Sequence, residues 1–417
     1  MRFAITPRDP FCFVLLTGAV SCSVFSFAQN TPVGSRARNI ENSALVVDAH
    51  EDTPQRFLDE NYDIGSRDPK DEDYISLEKA KAGNLGAEFF SIWVNPKVNQ
   101  GHFAKRTLDL IDSVYEQASR HPDSMTMAFS VNDIERVHKE HKLAALMGIE
   151  GGHSIENDIR LLREYYRLGV RYMTLTWSNT NEWADSSGDL DDPSVTHHDG
   201  LTEFGKQVVL EMNRLGMIVD ISHVSDKTFW DAIATTKAPV IASHSSARSL
   251  VNVQRNMSDD MLRAITKNGG VVCVNFFADF IDNDFLRAAE SQHREMLAAV
   301  ENYVKERKAA DSSVTEEDRE RFARKWLAEN RIRRAPLKSL IDHIDHLVKI
   351  AGVDHVGLGS DFDGRDFLPD GIDSAADLPQ ITQSLLDRGY SSEDIKKILG
   401  GNVMRLFRAV EQVSHDM

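Results

Sequence analysis

Eight short runs of apolar, β-branched and aromatic residues punctuate the chain, at 44–50, 86–94, 143–150, 171–177, 217–223, 239–244, 270–276 and 355–361. Most are nearly continuous rather than alternating, as in parallel strands buried on both faces. Amphipathic stretches such as 201–215 and 261–267 separate them. Eight β/α units in series predict an α/β protein whose strands close into a (β/α)8 TIM barrel. Two regions exceed that minimal plan. Residues 286–335, in the long connection before the last run, are highly charged with helical spacing, and Ser313 and Glu316 make a candidate capping box. They predict a helical insertion between strands seven and eight, read as a solvated hairpin rather than a working lid. The stretch 185–199, rich in Asp, Ser and Gly, predicts a loop after the fourth strand.

Composition narrows the class of protein. A chain of 417 residues with 41% hydrophobic and 27% charged residues can fill a large core, either as one barrel or as several domains. Lys and Arg number 48 against 65 Asp and Glu, a net charge of −17 that repels polyanions and argues against nucleic acid as a partner. Two of the three cysteines, Cys12 and Cys22, fall in the first 28 residues. There Arg2 and Arg8 flank the start of an apolar run, 11–24, followed by Ser26-Phe27-Ala28. This reads as a signal peptide over 1–28, cut near Gln29, ahead of a single domain over 29–417 that is exported to the periplasm or secreted. Thr17, Gly18, Ser21 and Ser23 interrupt the run, which is short for a spanning helix. The alternative is a lipoprotein tethered through Cys22, because residues 19–22 weakly resemble a bacterial lipobox. Export would leave Cys273 alone, so no internal disulfide is expected. The polar stretch 405–417 carries no hydrophobic tail, and no transmembrane segment is expected in the mature chain.

The chemistry lies in what ends the strands. A TIM barrel works at the C-terminal face of its strands, where polar residues far apart in sequence converge. Here those ends carry His50 and Asp52, Glu150, His223, His244, and Asp361 with Asp363. His50 and Asp52 are two apart, so on an extended segment they share a face and can chelate one ion. Singly, each has an ordinary reading as a surface pair, a salt-bridged strand end or a satisfied core histidine. Five metal-type side chains on one barrel face resist assignment to packing, and the set suits two divalent ions, zinc most naturally. Paired ions acidify a bridging water and hold the resulting hydroxide against a carbonyl, which is hydrolysis. Asp361 can carry the proton to the leaving amine. Asp363 competes for that role, with Asp361 favoured.

The segments VVDAHEDTP, MGIEGGHSI, GVRYMTLT, GLTEFGKQVVLEMNRLGMIVDISHVS, PVIASHSSARS, QRNMSDDMLR and HVGLGSDFDG resemble the membrane dipeptidase (renal dipeptidase) family of metallopeptidases, within the amidohydrolase-like barrels. The resemblance runs from about residue 45 to 412, apart from the charged insertion. It implies two zinc ions per chain, one held by His50 and Asp52, the other by His223 and His244, with Glu150 bridging them. It also implies Asp361 as the acid/base carboxylate, and Arg255 as the partner of a dipeptide's free C-terminal carboxylate, to which an arginine fork is suited. Small dipeptide substrates and a homodimer follow from the same resemblance. One position departs from it. Where well-known mammalian members place a substrate-contacting histidine, this chain has Trp177, whose indole donates one hydrogen bond but does not titrate, so side-chain preference and any β-lactam hydrolysis become doubtful. His153 is a candidate support behind Glu150, and His343 and His346 are expected on the helix before the last strand. The rivals are another hydrolase on the same metal pair, acting on N-acyl-amino acids, lactones or phosphotriesters, and a non-catalytic peptide-binding barrel.

Overall fold

A computed structural model of the chain describes residues 32–66, 73–309, 314–364 and 367–417. The leader over 1–28, with Cys12 and Cys22, and Ser313 of the expected capping box lie outside the described residues. The strands are β1 (Val46–Glu51), β2 (Leu85–Trp93), β3 (Met125–Met127), β4 (Leu143–Glu150), β5 (Val170–Thr174), β6 (Ile218–Asp220), β7 (Ile241–Ala242), β8 (Val271–Asn275) and β9 (Val356–Gly359). All neighbouring pairs are parallel. The order β1-β2-β4-β5-β6-β7-β8-β9 closes on itself, because β2 pairs β4 and β9 pairs β1. This is the expected (β/α)8 barrel, each of the eight runs holding one of its strands.

β3 is an addition that the apolar pattern does not announce. It is three residues long and pairs only with the start of β4, through Met125 and Leu143. The runs at 217–223 and 239–244 hold strands of only three and two residues. Past Asp220 and Ala242 the chain leaves the ladder, and His223 takes a left-handed backbone with φ 65°.

Two apolar layers form the core. Val46, Phe90, Ile92, Met147, Ile149, Met173, Val272 and Leu358 face helical residues such as Val114, Leu162, Val208, Ile265 and Leu340 in one buried cluster. Val47, Ala49, Ala87, Phe89, Leu146, Tyr172 and Cys273 line the other with Val403, Leu406 and Phe407. The last three belong to the C-terminal helix Asn402–Asp416, whose apolar face stops the barrel at the ends where the strands begin. Phe407 packs 6.5 Å from Phe89, which packs 5.3 Å from Tyr172.

Between β8 and β9 the expected insertion is built from helices Asn283–Ala309 and Glu316–Glu329. Met296, Val300 and Ala323 form a small core of their own, and the Tyr303 and Phe322 rings stack 4.4 Å apart. The second helix does open on a capping box, but with Thr315 and Asp318 as its residues, not Ser313 and Glu316. His343 and His346 lie on the helix Leu337–Ala351 that precedes β9.

Candidate metal centre

The register of the strands sets the site. Trp93 pairs with Glu150, Glu150 with Thr174 and Thr174 with Asp220, so one row crosses half the mouth of the barrel. His50 and Asp52 close the row from β1, where the Asp52 N–H donates to the Phe362 carbonyl at 2.8 Å. His223 and Asp361 both adopt positive φ, 65° and 62°. Such backbone is strained for side-chain-bearing residues and concentrates at working sites; here it marks the two turns beyond the ladder.

The structure brings all six expected mouth residues together, none more than 7% exposed. His50 Nε2 lies 3.6 Å from Asp52 Oδ2 and 3.7 Å from Glu150 Oε2. The other Glu150 oxygen, Oε1, lies 2.8 Å from His223 Nε2 and 3.5 Å from His244 Nε2. The His50 and His244 rings stack at 3.7 Å, and the Nε2 atoms of His223 and His244 are 3.0 Å apart. Among the described residues, His50, Glu150 and His244 offer ligand atoms within 4.8 Å of one another, and so do His50, Asp52 and Asp361. Asp361 Oδ2 accepts a hydrogen bond of 2.9 Å from Asn275 Nδ2.

Such an arrangement calls for a cation. Two imidazole nitrogens 3.0 Å apart repel unless a proton or an ion lies between their lone pairs. His50 Nε2 and Asp52 Oδ1 are buried with no hydrogen-bond partner, a costly state for polar atoms. Burial, helped by Asp52, pushes the Glu150 carboxyl up to about 8. Burial opposes charge on His50, yet Glu150, Asp52 and Asp361 outweigh it and push its pKa up to about 10. Gly364 leaves the needed space, since a Cβ there would come within 2.3 Å of oxygens of both Asp52 and Asp361. A set of three imidazoles and three carboxylates with these unmet demands fits borderline divalent ions.

The remaining expected residues divide. Arg255 sits at the rim, with Nη1 donating to Ser245 Oγ at 2.7 Å and Nη2 to the His244 carbonyl at 2.8 Å. It is close enough for its charge to favour ionised Glu150. Trp177 is half-buried, its ring 6.4 Å from that of His223 and 4.9 Å from that of Trp93. Trp93, at the end of β2, was not singled out in the sequence, where nothing separates it from an ordinary strand aromatic. Asp363 is turned away from the centre, accepting from Thr53 Oγ1 at 2.6 Å and Arg56 Nη1 at 3.1 Å. His153 does not support Glu150: its Nε2 bonds the Val94 carbonyl at 2.8 Å, because the short helical turn at 152–155 aims the ring at the end of β2. His343 accepts the Ala247 N–H at 3.0 Å, and His346 meets Asp259 at 2.8 Å, both away from the mouth.

Residues 34–417 match the model of the membrane dipeptidase family (peptidase family M19). This chain belongs to that family. Human Dipeptidase 3 is 30% identical over 385 residues, 91% of this chain and 68% of that protein. A solved structure of the probable dipeptidase PvdM from Pseudomonas aeruginosa is 27% identical, with a TM-score of 0.75 over 91% of this chain and 99% of that one. A metallopeptidase from Rhodobacter sphaeroides, solved with a phosphinate mimic of the dipeptide L-Ala-D-Ala, shares the fold at a TM-score of 0.69 and 22% identity, over 88% of this chain and 99% of that one. Membership makes this chain a peptidase hydrolase that uses a metal cofactor on dipeptides. Among the described residues, no helix of this dipeptidase-family chain is long and apolar enough to cross a membrane.

Proposed function

We propose that the protein is a binuclear zinc dipeptidase that cleaves small dipeptides bearing a free amino end and a free carboxylate. In this reading His50 and Asp52 hold one ion, His223 and His244 the other, and Glu150 bridges them. The observation that carries it is the two-sided Glu150 carboxylate, with Oε2 toward His50 and Oε1 toward His223 and His244. When bound, such a pair supplies Lewis acidity and an acidified water for attack on the peptide carbonyl. Asp361, steadied by Asn275, takes up the proton and passes it to the departing amine. Arg255, held at the rim by Ser245 and the His244 carbonyl, anchors the substrate carboxylate at a short fixed reach from the centre. That reach favours a dipeptide, because a longer chain would place an uncharged amide against the guanidinium. Trp177 and Trp93 wall the side next to His223 and restrict the side chain admitted there. In the same reading residues 1–28 direct export, by simple cleavage or through a lipid on Cys22, and two copies form a homodimer.

The test is a dipeptide-library hydrolysis assay with metal analysis of the same sample. Two zinc ions per chain and release of free amino acids are expected; one ion or none would sink the mechanism. Arg255→Ala separates the reading from a hydrolase of other amides or esters. It should cripple dipeptide cleavage far more than cleavage of a neutral ester, and equal losses would favour the rival.

A further inference from the structure

His50 and His244 turn their Nε2 atoms to the mouth and their Nδ1 atoms to the barrel interior. His50 Nδ1 lies 2.7 Å from the Tyr172 hydroxyl, and His244 Nδ1 lies 2.7 Å from the Ser243 hydroxyl. Ser243 Oγ also donates to Asp220 Oδ2 at 2.6 Å. Asp220 is fully buried at the end of β6. It further accepts Thr174 Oγ1 at 2.6 Å on Oδ2, and the Ser222 and Ser243 N–H groups at 3.0 Å each on Oδ1. Two strands and two hydroxyls thus aim their donors at one carboxylate.

An anion that only accepts sets the direction of every bond leading to it. The Ser243 proton goes to Asp220, so Ser243 Oγ accepts from His244 Nδ1–H. His244 ends with its proton on Nδ1 and a lone pair on Nε2, the form a metal ligand needs. The Tyr172 hydroxyl holds His50 Nδ1 directly, at 2.7 Å. We propose that Tyr172, Ser243 and Asp220 are positioning residues: Ser243 and Asp220 fix the tautomer and aim of His244, and Tyr172 fixes the aim of His50. Gly148 is part of the device, because a Cβ there would fall 2.0 Å from the Tyr172 ring. His223 stands outside it, its Nδ1 facing Ser178 Oγ at 3.4 Å. The consequence for ions rests on the metal reading above, whereas the tautomer does not.

The experiment pairs two readouts on wild type, Tyr172→Phe and Ser243→Ala. One is two-site zinc affinity by chelator competition. The other is ring-nitrogen NMR of metal-free, histidine-labelled protein, with His50→Asn and His244→Asn assigning the signals. Both variants keep nearly the wild-type volume, and Tyr172→Phe keeps its packing on Phe89. Tyr172→Phe should weaken one site by roughly 10–100-fold and leave the other within about twofold, as loss of a bond behind a ligand does. Ser243→Ala should weaken chiefly the other site. In the metal-free protein, Ser243→Ala should abolish the single Nδ1–H pattern of His244, and Tyr172→Phe should leave it unchanged. An unchanged His244 tautomer in Ser243→Ala would overturn the proposal, as would equal weakening of both sites by Tyr172→Phe. Should wild type bind no zinc, the metal reading fails while the NMR result still decides the positioning of His244.

Discussion

The two ends of the same eight strands are opposites. At the base, Val403, Leu406 and Phe407 of the C-terminal helix meet Val47, Ala87 and Phe89, and side chains there have apolar neighbours on every side. At the mouth, about one strand length away, six metal-type side chains are buried just as deeply, with His50 Nε2 and Asp52 Oδ1 lacking hydrogen-bond partners. The base is packed to be stable. The mouth is held in a state that the base must support, and a metal cofactor offsets its cost. Burial alone therefore says little about role; what a buried atom is paired with says much more.

The largest expected effect breaks the mouth without touching the base. Glu150→Gln keeps the side-chain volume but removes the charge that two groups of histidines face. Activity on dipeptides should fall by roughly a thousandfold or more, with zinc content below that of wild type. The thermal midpoint of the metal-free protein should barely move. A loss of less than about tenfold in kcat/KM would mean that Glu150 is not shared between ions.

The converse change breaks the base and spares the mouth. Phe407 is 1% exposed, and Phe407→Ala removes a ring from the stack that runs through Phe89 to Tyr172. Denaturant unfolding should show a cost of about 3–5 kcal/mol. Activity per folded, metal-loaded molecule should stay near wild type. A matching fall in zinc affinity would show that the two ends are mechanically coupled rather than merely joined.

The sequence exposes these two ends to different degrees. Eight apolar runs reveal the barrel because buried parallel strands leave a dense, one-dimensional signal. The six mouth residues stand out because each is a polar residue placed where an apolar run stops. The residues behind them do not. Tyr172 and Ser243 sit inside runs at positions open to any core residue, and their role depends on neighbours from β1 and β6 that only folding brings together. β3 is too short to form a pattern, and the left-handed turns at His223 and Asp361 carry no glycine to announce them. The capping box shows the same limit on a small scale: Thr315 and Asp318 satisfy the same chemistry two residues beyond Ser313 and Glu316.

Between the two ends, Gly148 tests how finely they are joined. Its missing side chain leaves room for the Tyr172 ring, which touches Phe89 below and His50 above. Gly148→Ala should cost about 1–3 kcal/mol of stability through overpacking. It should also lower zinc affinity, because the ring must move and His50 moves with it. Stability lost with affinity intact would place the strain on the base side alone.

The smallest effect concerns a buried carboxylate that serves no site. Glu41, on helix Ser35–Ser43 leading into the base end of β1, is 1% exposed, and the Thr382 hydroxyl donates to it. Burial pushes its pKa from 4.5 up to about 7. The unfolded chain gives up this proton near pH 4.5 and the folded chain near pH 7. Across that window the unfolded state binds fewer protons, so stability falls as pH rises. Below pH 4.5 both states are protonated and the penalty vanishes; above 7 it is complete. Glu41→Gln, which mimics the protonated form, should match wild type near pH 4.5 and exceed its thermal midpoint by roughly a few degrees at pH 8. Activity should be unchanged at both. A pH-independent difference between the two proteins would show that Glu41 stays ionised when buried, and the contrast between a working carboxylate at the mouth and a neutral one at the base would then rest on Glu150 alone.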